Sequence, residues 1–145
     1  MKICVIGAGN IGTYLAAYIS MKGDHRVWLH TTKPNLFKEN MILIEEEKDL
    51  RHSVKIHSVT DSLEDAVTDS DYVLITYPSF MVKDTLNKIN PYVKKGARIG
   101  VIPGFGGKEY CIDELLEKGC IFFGTQRVPS IVRLEKYGET VNLKQ

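Results

Sequence analysis

The run Lys2-Ile3-Cys4-Val5-Ile6-Gly7-Ala8-Gly9-Asn10-Ile11-Gly12 decides the fold. Its first residues read as a short buried strand. Ile11, Leu15, Tyr18 and Ile19 then recur at helical spacing, with Gly23 as a stop. A Gly-x-Gly-x-x-Gly pattern is weak by itself and gains meaning where it joins a strand to a helix, as here. The three glycines carry different expectations. Gly7 allows the tight turn, Gly9 lets a ligand approach the backbone, and Gly12 lets the helix pack closely on the strand. The unpaired N–H groups and the dipole at the helix start then favour an anionic diphosphate, so that Gly7, Ala8, Gly9, Asn10, Ile11 and Gly12 are all expected to contact the cofactor. A plain strand-to-helix turn does not need three glycines at this spacing.

Outward from this loop, short apolar runs alternate with amphipathic ones. Arg26–His30 reads as a second strand. Pro34 opens a helical stretch to about Lys48, rich in Glu at its end. Residues 54–59 alternate like a strand, and Asp61 caps a helix with Glu64 reaching back. Residues 71–76 form a strongly apolar strand, and Ser79 caps a helix that Asn90-Pro91 interrupts or ends. A strand over 98–102 leads into the loop Pro103-Gly104-Phe105-Gly106-Gly107. A helix over 108–118 follows, with Ile112, Leu115 and Leu116 inward and Gly119 as its stop. Strands over 120–123 and Thr140–Leu143 end the chain. This alternation predicts an α/β fold of the Rossmann type, a doubly wound, mostly parallel sheet with helices on both faces, as one nucleotide-binding domain over residues 1–145.

Composition narrows the function. The 145 residues suit one domain, and a formal net charge of +1 argues against a nucleic-acid or membrane-surface binder that works by bulk charge. No apolar run is long enough to span a bilayer, and Met1–Ile6 lacks a signal-peptide layout, so a cytoplasmic location is expected. Cys4, Cys111 and Cys120 form no C-x-x-C pair; buried reduced thiols are expected, with no disulfide framework and no metal site.

Cofactor choice turns on the end of the second strand. An NAD-selective site places Asp or Glu there to accept from the ribose hydroxyls. Here the strand ends in Thr31-Thr32-Lys33, and no acidic residue stands between His25 and Lys38. Hydroxyls and a lysine suit a 2′-phosphate, which tilts the expectation to NADP, with NAD as the alternative. Ligands in such sheets lie beyond the carboxyl ends of the strands. That places Thr76-Tyr77-Pro78-Ser79 and the Pro103–Gly107 loop beside the cofactor, with Tyr77, Pro78, Pro103 and Gly104 as contacts.

Taken together, Gly7–Gly12, the 71–78 strand and loop, Pro103–Gly107 and the segment Gly124-Thr125-Gln126-Arg127-Val128-Pro129-Ser130-Ile131-Val132-Arg133, followed by Tyr137-Gly138 and Val141, resemble the N-terminal domain of opine dehydrogenases. That group is distantly similar to ketopantoate reductases and 6-phosphogluconate dehydrogenases. The resemblance covers nearly the whole chain and implies NAD(P)H-dependent condensation of an amino acid with a 2-oxo acid, hydride going to an imine carbon. Phe105 stands where octopine-type enzymes have Gln, and Val132 where they have Cys, both expected on the substrate side; Arg133 is a candidate for a substrate carboxylate. The family implies a second, helical domain beyond Gln145 that carries the catalytic His. His25, His30, His52 and His57 all precede the nicotinamide loops and are not expected to act as acid or base. An exposed apolar patch around Tyr77, Phe80, Phe105 and Ile131, and with it a homodimer, is also expected. The competing function is a stand-alone NAD(P)-sensing module that regulates a partner. Such modules normally keep an acidic residue after the second strand, and Thr31 and Thr32 count against one.

Overall fold

The computed structural model describes residues 1–107 and 111–145. Its main sheet has six strands, all parallel: β1 (Lys2–Ile6), β2 (Arg26–His30), β5 (Ser58–Thr60), β6 (Tyr72–Ile75), β7 (Arg98–Val101) and β8 (Ile121–Gly124), in the spatial order β5-β2-β1-β6-β7-β8. The order reverses between β1 and β6. There the Gly7 loop and the Thr76 loop leave the sheet side by side in opposite directions.

Alternation along each strand splits the core in two. Ile3, Val5, Val27, Leu29 and Leu74 face helix α1 (Asn10–Lys22). Cys4, Ile6, Val73, Ile75, Ile99 and Val101 face α2 (Leu63–Val67), α3 (Ser79–Ile89) and α4 (Asp113–Glu117). Burial on both faces explains why these strands read as continuous apolar runs.

A second sheet of four strands lies on the α1 side, in the order β4-β3-β10-β9, where β3 is Met41–Glu45, β4 Leu50–Val54, β9 Val132–Lys136 and β10 Thr140–Leu143. β3 and β10 pair in parallel, and each has an antiparallel outer neighbour. This corrects the helix expected from Pro34 to Lys48. That stretch is a 3-10 turn at Pro34–Leu36, strand β3, and a second 3-10 turn at Glu46–Lys48. Local glutamates favour a helix, but Met41-Ile42-Leu43-Ile44 finds strand partners on both sides, and tertiary pairing overrides propensity. The strand expected over 54–59 is likewise two strands in different sheets, β4 ending at Val54 and β5 beginning at Ser58.

Three helix details also differ. The α2 cap is Ser62, whose hydroxyl accepts from the Asp65 N–H at 3.1 Å, in place of Asp61. Ser79 is the first residue of α3, and Pro78 holds the cap position without a side-chain bond. The last helix spans only Asp113–Glu117. Ile112 and Leu115 are buried, while Leu116 is exposed. The expected start at Lys108 lies outside the described residues. Cys4 and Cys120 are buried and Cys111 is half-buried, all three free thiols. Burial pushes the Cys4 thiol up to about 12, so it stays protonated and inert. Among the described residues, no helix is long and apolar enough to cross a membrane.

The second sheet shares the α1-side core, since Met41, Leu43, Val54, Val132 and Val141 pack in one cluster with Ile3, Val5, Tyr14 and Leu15. Leu43→Ala, at a fully buried position, should cost about 2–5 kcal/mol. Denaturant unfolding followed by both far-ultraviolet dichroism and Tyr14/Trp28 fluorescence should show one shared transition. Two separated transitions would mean that the sheets fold independently.

Candidate cofactor site

The β1–α1 loop gives each glycine its own physical duty. Gly7 has φ +103°, a conformation that L side chains rarely adopt, and a Cβ there would stand 2.7 Å from the Thr76 hydroxyl. Its N–H donates to the His30 carbonyl at 3.1 Å, which joins the loop to the end of β2. A Cβ on Gly12 would overlap the Gly7 carbonyl, so the helix can cross the loop this closely only with glycine there. Around Gly9 a Cβ would meet nothing within 4 Å. That side of the loop is open, as a backbone approached by a ligand must be. Gly9 is also the N-cap of α1, and it supplies no side-chain partner to the first turn.

Neighbouring side chains hold this loop from both sides. The Thr76 hydroxyl donates to the carbonyls of Ile6 and Gly7 at 3.0 and 3.2 Å, and Thr13 donates to the Ala8 carbonyl at 3.0 Å. The Asn10 side chain turns away from the loop: its Oδ1 accepts the Leu134 N–H of β9 at 2.8 Å. Ala8 is buried and Ile11 half-buried against the α1-side core. Of the expected loop contacts, Gly9 and Asn10 are exposed, Ile11 is half-buried, and Gly7, Ala8 and Gly12 are buried.

Beside the loop lies a cleft of about 530 Å³ lined by Ala8, Gly9, Thr31, Thr32, Lys33, Leu36, Tyr77 and Tyr137. A volume of this order suits part of a small-molecule ligand. Thr32 and Lys33 are exposed here, and among the described residues no carboxylate pairs with the Lys33 ammonium. Thr31 is only 4% exposed. Its hydroxyl accepts the Lys33 N–H at 3.2 Å and is paired with the Tyr137 hydroxyl in a short hydrogen bond. Tyr77 lies over Gly7, and its hydroxyl stands 3.5 Å from His30 Nδ1. On the other side of the imidazole, Nε2 is 3.2 Å from the Asp61 carbonyl. A carbonyl only accepts, so Nε2 carries the proton, and Nδ1 is left to accept from Tyr77. Burial holds the His30 imidazole below its ordinary value, which keeps this neutral tautomer.

The Pro103–Gly107 loop follows β7. Gly104 donates to the Thr125 carbonyl at 2.7 Å, and a Cβ there would stand 2.9 Å from Gly124 Cα. Its missing side chain therefore serves the packing of two backbone segments. Phe105 packs against the core cluster of Cys4, Ile6 and Val101, and Pro103 is exposed. Val132, expected toward substrate, is 2% exposed and belongs to the α1-side core. Arg133 points outward, with Nη1 3.4 Å from the Val132 carbonyl, and among the described residues no carboxylate pairs with it. Of the expected apolar patch, Phe80 and Ile131 are exposed while Tyr77 and Phe105 are half-buried. His30 and Tyr137 are the residues that sequence reasoning missed. The signal for His30 was its place at the end of β2; Tyr137 reaches the cleft from a hairpin more than a hundred residues from Thr31.

Residues 3–141 match the model of ketopantoate reductase PanE/ApbA. The chain belongs to the ketopantoate reductase PanE/ApbA family. Among curated relatives, an opine dehydrogenase from Haliotis discus hannai is 25% identical over 99% of this chain and 40% of its own length. A glycerol-3-phosphate dehydrogenase [NAD(P)+] from Thermoanaerobacter sp. (strain X514) is 33% identical over 66% of this chain and 29% of its own. This member of the family thus spans two fifths or less of the length of these relatives. An octopine dehydrogenase structure in complex with NADH and agmatine superposes with TM-score 0.86 at 24% identity, over 99% of this chain and 39% of that one. A PanE/ApbA family ketopantoate reductase from Ralstonia eutropha JMP134 gives TM-score 0.74 at 20% identity, over 100% of this chain and 47% of its own. These structures establish the common fold.

The His30 pair makes a pH prediction. Its folded pKa lies below the unfolded value, so the unfolded chain binds the proton first and stability falls as pH drops through and below about 6.5. The lowered carboxylates, Glu45 and Asp71 among them, lose their contribution only further into acid. The melting temperature should therefore decline between about pH 7 and 5, and His30→Gln should flatten that decline. An unchanged slope in the variant would remove His30 from the account.

Proposed function

We propose that this chain is the NAD(P)-binding domain of an oxidoreductase that delivers hydride to an imine formed from an amino acid and a 2-oxo acid. The observation that carries the cofactor assignment is the division of labour among Gly7, Gly9 and Gly12 at the point where the strand order reverses. Gly9 admits the diphosphate to the loop. The N–H groups of Asn10, Ile11 and Gly12 donate to its oxygens, aided by the helix dipole. Leu36 and Tyr77 flank the adenosine end, and Thr32 and Lys33 stand where the ribose 2′ substituent is read. Pro103 and Gly104 border the nicotinamide side, with Phe105 behind them. Arg133, one residue before the Leu134 N–H that Asn10 holds, is the proposed partner for a substrate carboxylate. The bound dinucleotide would supply the hydride donor. The proton donor and the water-poor cleft that hydride transfer needs are assigned to a second domain.

The opine dehydrogenase match across nearly the whole chain favours a C=N acceptor. The family model favours a second reading, reduction of a 2-oxo acid at C=O. NADPH oxidation by the whole protein separates them. Turnover that requires both an amino acid and a 2-oxo acid supports the imine, and turnover with the oxo acid alone supports the second reading. Every relative named above is a dehydrogenase or reductase, and none favours a sensing module.

Gly9→Asp should abolish binding of NADH and NADPH in calorimetric titration while leaving the melting temperature close to wild type, because the new side chain enters open space. Unchanged affinity, or no binding of either dinucleotide by the wild type, would overturn the cofactor assignment. Lys33→Ala should weaken NADPH more than NADH, by about 1.5–3 kcal/mol for a charge-assisted bond. Equal losses would make Lys33 a bystander.

A further inference from the structure

We propose that Tyr137 shares with Thr31 a cofactor-specificity role: the pair of hydroxyls presents one neutral O–H donor at the ribose 2′ position and favours a 2′-phosphate. The inference rests on the NAD(P) reading above and adds a residue from the second sheet to that site.

Thr31 follows directly on β2, where an NAD-selective site would carry its carboxylate. Both Thr31 and Tyr137 line the cleft. The tyrosine is fixed in place by the β9–β10 hairpin. Its ring meets Phe37 edge-on, with centroids 5.2 Å apart and planes at 77°. The next residue, Gly138, has φ +71° and lies against the Leu36 carbonyl, where a Cβ would overlap it. The Gly138 carbonyl accepts the Lys38 N–H at 2.9 Å. The turn is thus clamped onto the 34–38 segment, and the hydroxyl of Tyr137 has one place to go.

Counting protons gives the consequence. Thr31 Oγ1 already accepts the Lys33 N–H. Thr31 and Tyr137 hold two hydroxyl protons between them, and the bond that joins the pair uses one. If Tyr137 donates to Thr31, the threonine proton is free; if Thr31 donates, the tyrosine proton is free. Either arrangement leaves one donor and places no negative charge there. A carboxylate in this position would accept from ribose hydroxyls and repel a phosphate. The hydroxyl pair instead donates, and donation to a phosphate is charge-assisted and about twice as strong as donation to a neutral hydroxyl. Lys33 adds charge from an exposed position, where salt screens it; a short-range hydroxyl contact is screened far less.

Tyr137→Phe keeps the ring against Phe37 and removes only the hydroxyl. That leaves the Thr31 proton as the donor, and Thr31→Val likewise leaves the Tyr137 proton. In calorimetric titration each single variant should therefore weaken NADPH less than about threefold, whereas the double variant, with no donor left, should weaken NADPH about 5- to 20-fold and NADH less than about twofold. That loss should persist between about 0.05 and 0.5 M salt, whereas the loss in Lys33→Ala should shrink. If valine at position 31 destabilises the fold, Thr31→Ala with Tyr137→Phe carries the same expectation. Equal weakening of both dinucleotides by the double variant, no weakening, or a loss no larger than that of a single variant would overturn the proposal. Wild-type protein that binds neither dinucleotide would overturn the NAD(P) reading and this inference with it.

Discussion

Helix α1 crosses the β1 loop so closely that the side chain of residue 12 would occupy the Gly7 carbonyl oxygen. Much of the rest depends on that approach. It brings Thr13 within reach of the Ala8 carbonyl, lets Asn10 span from the loop to β9, and presses Tyr14, Leu15, Ala16 and Ala17 onto Ile3 and Val5. A bulkier residue at position 12 would lift the helix, and the core on that side would lose its centre. The feature that shapes the glycine loop is therefore also the feature that closes the core.

The second sheet extends the same logic. It covers the outer side of α1, so the helix is packed between two sheets. The segment between β8 and β9 is anchored to α1 as it passes, with the Ser130 hydroxyl donating to the Tyr14 hydroxyl at 3.3 Å. At one end of this sheet, the Tyr137-Gly138 turn forms a wall of the cleft beside Thr31 and Leu36. Core packing and the cleft share a single hairpin, so a change in one is felt in the other.

The polar chemistry of the cleft is built from neutral groups in fixed orientations. His30 is held as a neutral imidazole between the Asp61 carbonyl and the Tyr77 hydroxyl. Thr31 is held between the Lys33 N–H and Tyr137. Lys33 stays at the rim, where its charge costs nothing in desolvation. Such a set can meet an anionic ligand without burying an unpaired charge.

The sequence by itself determined the parallel sheet, the first strand and helix, and the tight turn at Gly7 and close packing at Gly12. These depend on contacts between residues near in the chain and on the period of apolar positions, which a one-dimensional pattern records. It also singled out the end of β2 as the proposed place of cofactor discrimination, because the absence of a carboxylate there is a statement about residue type. Tertiary structure alone decided that Met41-Ile42-Leu43-Ile44 is a strand, since its partners β10 and β4 outweigh the helical preference of the glutamates that follow. Only the fold assigned Val132 to the core and gave Gly104 a packing duty against Gly124. The meeting of Thr31 with Tyr137 was equally illegible, because the two stand 106 positions apart and the signal each carries points to its own element and not to the other. A contact of that kind exists only once two sheets have closed on one helix, and no spacing along the chain encodes it.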